Sequence, residues 1–483
     1  MRTKPAQGRF AAAASAVIVF CFFLWNAGDG IYARFTPDDL MNLYGAWSAP
    51  LGLVLKSAVV FFEPFYRPVG ALFYRSIFAL AGLDPFPYRA VCMLFLGLNI
   101  VLAYWVSSLI TKSAETGWLT ALLGSFHVRM SDLYYSSGTV YDVLAYTFFS
   151  ASFGYYLRIR LRGTLPALSN IFVLAGLFIL ALGSKEVAIT LPVLLLLYEA
   201  LWHPPKELSL RASLRWLARE GRPAVLLLVI AAIFAWSRAA VPSYVGNEAY
   251  TPVFSWEVYR RNWRWYVSQL LLMEPFAATF RSIALSVAAM LLIALRLRSR
   301  AMLFGLGMFL IGELPLAFIL PRGLFALYLP LFGLSLYFAE VLVRIRTGIQ
   351  VIPVRAWGRQ LMPETWIRVA VPAAAAVALT LVFAPHRPRM FDWNVPHAAR
   401  IDAMIDQMPE FQFPKESTVM LLDDPFDPDE WTPLFIMRLS LQDPDLKVFR
   451  AKTHPELLAK LNEFSHLVRF EGLRMVMAPK PGS

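Results

Sequence analysis

The sequence predicts a polytopic α-helical membrane protein with about eleven transmembrane helices and a small C-terminal soluble α/β domain. This prediction rests on the composition, on the spacing of the apolar segments and on the acidic tail. Of 483 residues, 58% are apolar and only 16% are charged. Because soluble domains carry about 25% charged residues, this composition excludes a disordered chain, a disulfide-stapled secreted module and a simple soluble enzyme.

Eleven segments approach the roughly 20 apolar residues that a bilayer-crossing helix needs. They are 10–28, 89–111, 116–131, 139–157, 165–183, 187–203, 223–240, 279–295, 301–318, 325–343 and 367–384. A twelfth apolar segment, 66–83, contains two arginines and is broken by Pro68 and Gly70. It is interpreted as a helix that lies in the membrane interface. The basic N-terminus leads into the first segment without an obvious cleavage site, so it is interpreted as a retained helix.

Positive charges orient these helices. With the N-terminus in the cytoplasm, the inner segments hold twenty Lys and Arg residues against four Glu residues, as the positive-inside rule expects. The C-terminus is then outside, and a bacterial inner membrane is the expected location. The predicted domains are a transmembrane domain, 1–384, with outer segments 29–88 and 241–278, and an extracytoplasmic α/β domain, 385–483.

The tail holds 12 Lys and Arg residues against 15 Asp and Glu residues, so the membrane part carries +15 of a net charge that is +12 for the whole chain. Nucleic acid is therefore not an expected partner. Apolar alternation with Pro and Asp breaks predicts the elements of this domain. The helices are expected near 396–408, 431–441 and 455–462, and the strands near 418–422, 446–450, 465–470 and 473–478.

The first outer segment opens with FTPDDLMNLYGAW, which contains the adjacent acids Asp38 and Asp39. Two neighbouring carboxylates repel each other unless a cation, a donor or a substrate hydroxyl compensates them. They are candidates for a general base or a cation ligand. The alternative is a helix N-terminus over 36–39, where Asp is common.

The segment GSKEVAITLP places Lys185 and Glu186 at the outer end between two apolar segments. A lysine at the edge of a membrane cavity suits a phosphate group. The alternative is a snorkelling lysine that pairs with its neighbour. Further along, LPRGLFALYLP places Arg322 and Tyr328 at another outer end. Arginine suits bidentate phosphate recognition, with an interfacial anchor as the alternative.

The turn SFHVRMSD adds His127 and Asp132, of which Asp132 is the better candidate because it faces the side of the acidic pair. An amphipathic helix over 255–272 is expected to cover the cavity, with a pure anchor as the alternative. The acid run DDPFDPDE, 423–430, is either a calcium or acceptor site or a solvated turn. The sequence contains no GxGxxG, Walker, HExxH, CxxC or GxSxG motif, which disfavours nucleotide-driven, zincin and serine-hydrolase chemistry.

Together these motifs resemble the GT-C class of membrane glycosyltransferases, especially bacterial lipid-linked-sugar transferases and the transmembrane-and-TPR protein O-mannosyltransferases. The matching pieces follow the family order and cover most of residues 30–335. They are FTPDD, YRPVGALFYR, SFHVRMSD, GSKEVAITLPVLLLLYE and PRGLFALYLPLFG. The sequence departs from the family pattern at Val128 and Asp132, where members often have Pro and Glu, and its tail carries no TPR repeats.

The resemblance implies a polyprenyl- or dolichyl-phosphate sugar as the donor, transferred with inversion on the non-cytosolic face to a glycan, lipid or protein. A phosphate leaving group needs a cation in a low-dielectric site, which Lys185 and Arg322 would supply, with Tyr328 beside them. The acceptor hydroxyl needs a base, for which Asp39 is the first choice and Asp38 the second.

The remaining candidates, Asp132, Glu186 and His127, would orient the acceptor or hold a divalent cation. The sequence predicts no firm cofactor, and it leaves the oligomeric state open. A transporter or flippase of lipid-linked sugars without transferase activity is the alternative function. No internal repeat of the kind found in many transporters is visible, and the charged residues gather at the outer rim. A membrane receptor whose tail does the binding is a third option.

Overall fold

The computed structural model describes residues 5–207, 209–241, 251–273, 278–357, 363–386 and 394–481. Part of the predicted outer segment 241–278 lies outside these residues. The first seventeen α-helices belong to the membrane part. They are α1 (Pro5–Ala27), α2 (Pro37–Ser48), α3 (Leu51–Ser57), α4 (Pro68–Ala81), α5 (Pro85–Thr111), α6 (Ala114–Ser125), α7 (Ser131–Tyr135), α8 (Val140–Arg160), α9 (Leu168–Ser184), α10 (Leu191–Trp202), α11 (Leu210–Arg219), α12 (Arg222–Ala240), α13 (Trp256–Leu270), α14 (Phe280–Arg296), α15 (Arg300–Ala317), α16 (Tyr328–Trp357) and α17 (Glu364–Phe383).

Within the described residues, six helices are long and apolar enough to cross a membrane, namely α1, α5, α12, α15, α16 and α17. Every predicted apolar segment contains a helix, but four of these helices (α6, α9, α10 and α14) have only 12 to 17 residues. The fifth, α8, has 21 residues, but it carries Asp142 in its first turn and Arg158 and Arg160 in its last turn, so it is less apolar than the six. The prediction of a polytopic helical membrane protein is confirmed, whereas the count of eleven spans is not.

The segment predicted to lie in the interface forms α4, which has 14 residues and is therefore too short to cross a bilayer of about 30 Å at 1.5 Å per residue. It packs against α2 and α9 and buries Phe73, Tyr74 and Ile77. This helix is thus part of the protein core on one side of the bundle.

Residues that were predicted to share the inner side do come together. Arg160, at the end of α8, lies 2.7 Å from Glu199 and 2.6 Å from Glu220. Arg346, in α16, lies 2.6 Å from Glu115, at the start of α6. These ion pairs join the predicted inner ends of α8, α10 and α12 in one set and those of α6 and α16 in another, and the direction of these ends relative to the cytoplasm is a prediction.

Over its described residues, 394–481, the tail contains two further α-helices and one sheet. They are α18 (Asn394–Gln407), β1 (Thr418–Leu421), α19 (Thr432–Ser440), β2 (Lys447–Arg450), β3 (His466–Glu471) and β4 (Arg474–Met477), with a 3₁₀ helix over Pro455–Glu463. The strand order is β2-β1-β3-β4, and β1 pairs in parallel with both β2 and β3, whereas β3 and β4 are antiparallel. Each strand overlaps a predicted one, and the helix predicted near 455–462 is a 3₁₀ helix.

The tail packs directly on the first outer segment. The ring of Phe435 in α19 stacks on that of Tyr44 in α2 with 5.0 Å between centroids. Arg438 Nη1 donates to Tyr44 Oη at 2.9 Å, and Arg34 Nε lies 2.7 Å from Asp402 Oδ2. One hydrophobic core runs through α2, α4 and the tail. The tail and the first outer segment therefore lie on the same side of the bundle.

Candidate active site

A cavity of about 710 Å³ lies where α9, α12 and α15 meet the segment around Arg322. Most of its lining is apolar and comes from α12, from α15 and from residues close to them in sequence. The described lining includes five charged residues: Asp142, Lys185, Glu186, Arg238 and Arg322. Three of them are cations and two are anions. The cavity therefore combines an apolar wall with a small excess of positive charge, which suits a ligand that joins a lipid chain to an anionic group.

Lys185 is positioned by its backbone and by a buried carboxylate. It follows the last residue of α9 in an extended conformation, with φ −155° and ψ 144°. Its Nζ lies 2.8 Å from Oδ2 of Asp142, in the first turn of α8, and 5.2 Å from the centre of the Phe325 ring. Oδ1 of Asp142 has no hydrogen-bond partner within the described part of the chain. This oxygen is buried, as is most of the Asp142 side chain.

The alternative in which Lys185 pairs with Glu186 is wrong. Glu186 instead binds Arg67, whose Nη2 lies 3.0 Å from Oε2 and whose Nε donates to Oε1 at 3.4 Å. Burial acts to raise the pKa of Glu186, but the charges of Arg67 and Lys185 outweigh it and hold this pKa at about 2. Glu186 is therefore a fixed negative charge that orients Arg67 at the cavity.

Arg322 is fixed through its backbone. Its N–H donates to Oη of Tyr266 at 2.9 Å. Nδ2 of Asn262, also in α13, donates to the carbonyl oxygens of Ala317 and Ile319 at 3.1 and 2.7 Å. The amphipathic α13 thus ties down the segment that carries Arg322 to the cavity.

The second group of site residues surrounds the start of α2. Thr36 and Asp39 form a capping box, in which Thr36 N–H donates to Oδ2 at 2.8 Å and Asp39 N–H donates to the Thr36 hydroxyl at 3.3 Å. Oδ1 of Asp39 accepts from the Ser136 hydroxyl at 3.0 Å and from Gly138 N–H. The helix-terminus alternative is therefore confirmed for Asp39, whose carboxylate binds groups of its own chain.

Asp39 has no exposed surface, and burial raises its pKa, although the charge of Arg89 and the hydrogen bonds oppose this rise. Arg89 is 1% exposed and donates to the Gly30 carbonyl at 3.1 Å, to the Ser137 hydroxyl at 3.2 Å and to the Tyr134 carbonyl. This arginine is a buried countercharge that the sequence did not single out as functional.

Asp38, by contrast, is exposed, and Asp132 is half-buried. Burial and the charge of Asp38 raise the pKa of Asp132, so the two carboxylates interact. The structure thus brings together Asp38, Asp39 and Asp132 as predicted, and it separates them by exposure. Among the described residues there is no cluster of three or more acidic, His or Cys side chains that could hold a metal ion.

Two predicted site residues lie outside both groups. The ring of Tyr328 is 4% exposed and stacks on Tyr146 with 4.4 Å between centroids. The imidazole of His127 is buried, with Nδ1 accepting from Arg129 N–H at 3.3 Å and Nε2 lying 3.1 Å from the Leu270 carbonyl oxygen. Neither side chain lines the cavity, so their geometry does not support a role in ligand binding.

Three residues that the sequence did not select do line or shape the cavity. Asp142 and Arg238 line it, and Arg67 holds Glu186. The signal in each case is a charge at the end of an apolar helix. The sequence could not identify these partners because Asp142 lies 43 residues from Lys185, and Arg67 lies 119 residues from Glu186.

Comparison with known proteins shows that the fold of this chain is similar to that of distantly related solved structures. No family model matches the chain, and neither does any curated sequence. In overall fold the chain is similar to ArnT and to an oligosaccharyltransferase. ArnT from Cupriavidus metallidurans bound to undecaprenyl phosphate gives a TM-score of 0.48 at 14% identity over 96% of this chain and 97% of that one. The apo state of the same protein gives 0.47 at 16% identity over 97% and 96%.

The Archaeoglobus fulgidus oligosaccharyltransferase, tethered to an acceptor peptide with an NVT sequon, gives a TM-score of 0.49 at 10% identity. The match covers 92% of this chain and 64% of that one. At these identities, no residue of this chain takes a role from either protein.

Proposed function

We propose that the protein is a membrane glycosyltransferase that moves a sugar from a polyprenyl-phosphate donor to a hydroxyl of a glycan, lipid or protein on the outer face. The observation that carries this proposal is the apolar cavity with Lys185, Arg238 and Arg322 in its lining. The apolar wall suits the lipid chain, and the cations suit the phosphate.

A residue that contacts Asp39 lies close in sequence to a residue that lines this cavity. Gly138, which binds Asp39, is only four residues before Asp142, which binds Lys185. Residues 137–139 form a 3₁₀ turn and α8 begins at Val140, so the backbone rises by about 7 Å over these four residues, which is of the order of one sugar ring. The acceptor hydroxyl and the leaving phosphate thus have groups of suitable chemistry on either side of the transferred sugar.

In the reaction, the acceptor oxygen attacks the anomeric carbon while the bond from that carbon to the phosphate oxygen breaks. The phosphate oxygen leaves with the electron pair, and the cations stabilise its charge. The acceptor proton passes to a carboxylate. We assign this role to Asp38, because Asp39 already accepts hydrogen bonds from Thr36, Ser136 and Gly138. Asp39 then fixes the start of α2, and Asp132 orients the acceptor.

The test is deletion of the gene in its source organism, followed by mass spectrometry of lipids and glycans. We expect one glycan to lose a sugar and one lipid-linked sugar to accumulate. Plasmid-borne Asp38→Asn and Lys185→Ala should fail to restore the glycan although the protein is present in the membrane. The exposed Asp445→Asn and Lys206→Ala are the matched controls and should restore it.

Full restoration by Asp38→Asn would remove this residue as the base. The flippase alternative makes a different prediction, since the purified protein would then transfer no sugar from a polyprenyl-phosphate donor while still moving that lipid across a vesicle membrane.

A further inference from the structure

The tail contains a second cavity, of about 550 Å³, which lies beside the edge strand β2. Trp431, Arg438, Lys447, Phe449 and His454 are among its lining residues. The cavity is distinct from the proposed donor site, because all of its described lining belongs to residues 428–454. None of its lining residues takes part in the proposed sugar transfer.

The lining combines an exposed aromatic ring with balanced charges. Trp431 is 66% exposed although it lines a cavity. The C–H face of a sugar ring packs well on an indole face, which is large, rigid and amphipathic. Among the described lining residues, the carboxylates of Asp429 and Glu430 balance the cations of Arg438 and Lys447. The charge of Arg450 is neutralised by Asp424, 2.7 Å away. This composition favours an uncharged ligand with many hydroxyl groups.

The edge of the sheet is less suited to a peptide strand. β2 has only four residues and begins with the exposed Lys447. Short edge strands and edge lysines are features that discourage the addition of another strand. The cavity also offers a ring face rather than a row of alternating pockets, which strand addition would require.

This cavity is linked to the helix that carries the acidic pair. Arg438 lines the cavity and donates to the Tyr44 hydroxyl in α2 at 2.9 Å. Phe435, from the same helix as Arg438, stacks on Tyr44. Tyr44 lies six residues after Asp38, which corresponds to about 9 Å along the helix. A ligand in this cavity is therefore held at a fixed distance from the proposed base.

We propose that this cavity binds a neutral oligosaccharide, which is the part of the acceptor next to the hydroxyl that receives the sugar. The statement that this oligosaccharide is the acceptor rests on the proposed function, whereas its binding does not. Trp431 stacks on one ring, and the Asp429 carboxylate, Lys447 and Nε2 of His454 hydrogen-bond its hydroxyl groups, since Glu430 already contacts Asp427 N–H and His397.

The test is binding of the full-length, detergent-solubilised protein to an array of neutral oligosaccharides of three to eight hexose or deoxyhexose units. The array also carries sulfated and sialylated oligosaccharides and unstructured peptides. We expect binding to neutral oligosaccharides that Trp431→Ala weakens at least tenfold. The control is Leu458→Ala, which truncates a side chain that is 46% exposed in the same domain and outside the lining, and it should leave binding unchanged.

Three results would each overturn the proposal: no binding to any neutral oligosaccharide, binding that Trp431→Ala leaves intact, or stronger Trp431-dependent binding to the charged oligosaccharides or peptides. Because Trp431 is exposed, its truncation should not lower the unfolding temperature, and this is measured alongside. If the protein binds oligosaccharides but transfers no sugar, the proposed function is contradicted and the oligosaccharide site stands. If it transfers sugar to an oligosaccharide without needing Trp431, the oligosaccharide site is contradicted and the proposed function stands.

Discussion

Replacing Lys185 tests whether this lysine binds phosphate or only neutralises Asp142. The side chains of Lys185 and Asp142 are 11% and 3% exposed, with 2.8 Å between their charged atoms. Removing one partner of a buried pair costs about 3–5 kcal/mol, because the other charge is left buried. Since this pair borders a cavity, we expect Lys185→Met to destabilise the protein by about 3 kcal/mol, at the lower end of that range.

The double variant Lys185→Met/Asp142→Asn separates the two roles. Replacing both partners is close to neutral, so its stability should return to within about 1 kcal/mol of the wild type. Its kcat/KM for the donor should nevertheless stay about 100-fold low, or about 2.7 kcal/mol, because the leaving phosphate lacks the Lys185 cation. The assays are thermal unfolding in lipid nanodiscs and steady-state transfer with varied donor.

A matched ion pair provides the control. Arg346 and Glu115 are 2.6 Å apart with side chains 7% and 9% exposed, and they lie at the other end of the bundle. Arg346→Met should lower the unfolding temperature, by less than Lys185→Met because Nε of Arg368 also lies 3.8 Å from Glu115, and it should leave kcat/KM for the donor unchanged. If the double variant at Lys185 and Asp142 transfers sugar as fast as the wild type, then Lys185 only neutralises Asp142 and its phosphate role is refuted.

Three further outcomes are expected. The pKa of Glu186 is held at about 2, below its ordinary 4.5. The stability that this carboxylate contributes is therefore present above about pH 4.5 and is lost as the pH falls towards 2, and Glu186→Gln should flatten that acid limb of a thermal-unfolding series. A methyl group at Gly138 would lie 3.1 Å from Cβ of Asp38, so Gly138→Ala should lower kcat about tenfold, roughly 1.4 kcal/mol, while donor KM is unchanged. Tyr44→Phe removes the bond to Arg438 and should destabilise the protein by about 1 kcal/mol in thermal unfolding, with a rise in acceptor KM but not in donor KM.

The sequence predicted those features of the site that depend on residues close together in the chain, and it did not predict those that depend on distant residues. A threonine followed three residues later by an acid is a local helix-start pattern, and Thr36 with Asp39 forms that capping box. The choice between Asp38 and Asp39 as the base could not be made from neighbouring residues. It depends on the turn at Ser136–Gly138, which is about a hundred residues away and occupies the carboxylate of Asp39.

For the helices, the sequence predicted where they lie but not where they end. Apolarity identified a helix in every predicted segment, because burial in lipid and burial in protein favour the same residues. It did not fix their lengths. The helix predicted over 116–131 ends at Ser125, because Phe126 and His127 adopt extended conformations with φ −148° and −141°. His127 then contacts the backbone of Leu270 in α13, a tertiary contact that no periodicity in the sequence encodes.

The segment from Ser136 to Asp142 joins the two groups of site residues. At its start, Gly138 N–H binds the carboxylate of Asp39, and at its end Asp142 binds Lys185. Between them, Tyr141 donates to the Asn42 side chain at 3.2 Å. Because an inverting displacement needs the attacking and leaving oxygens on opposite faces of one carbon, their binding groups must keep a constant separation. A short segment joined at both ends provides this constancy, so changes within it should affect kcat before they affect the KM of either substrate.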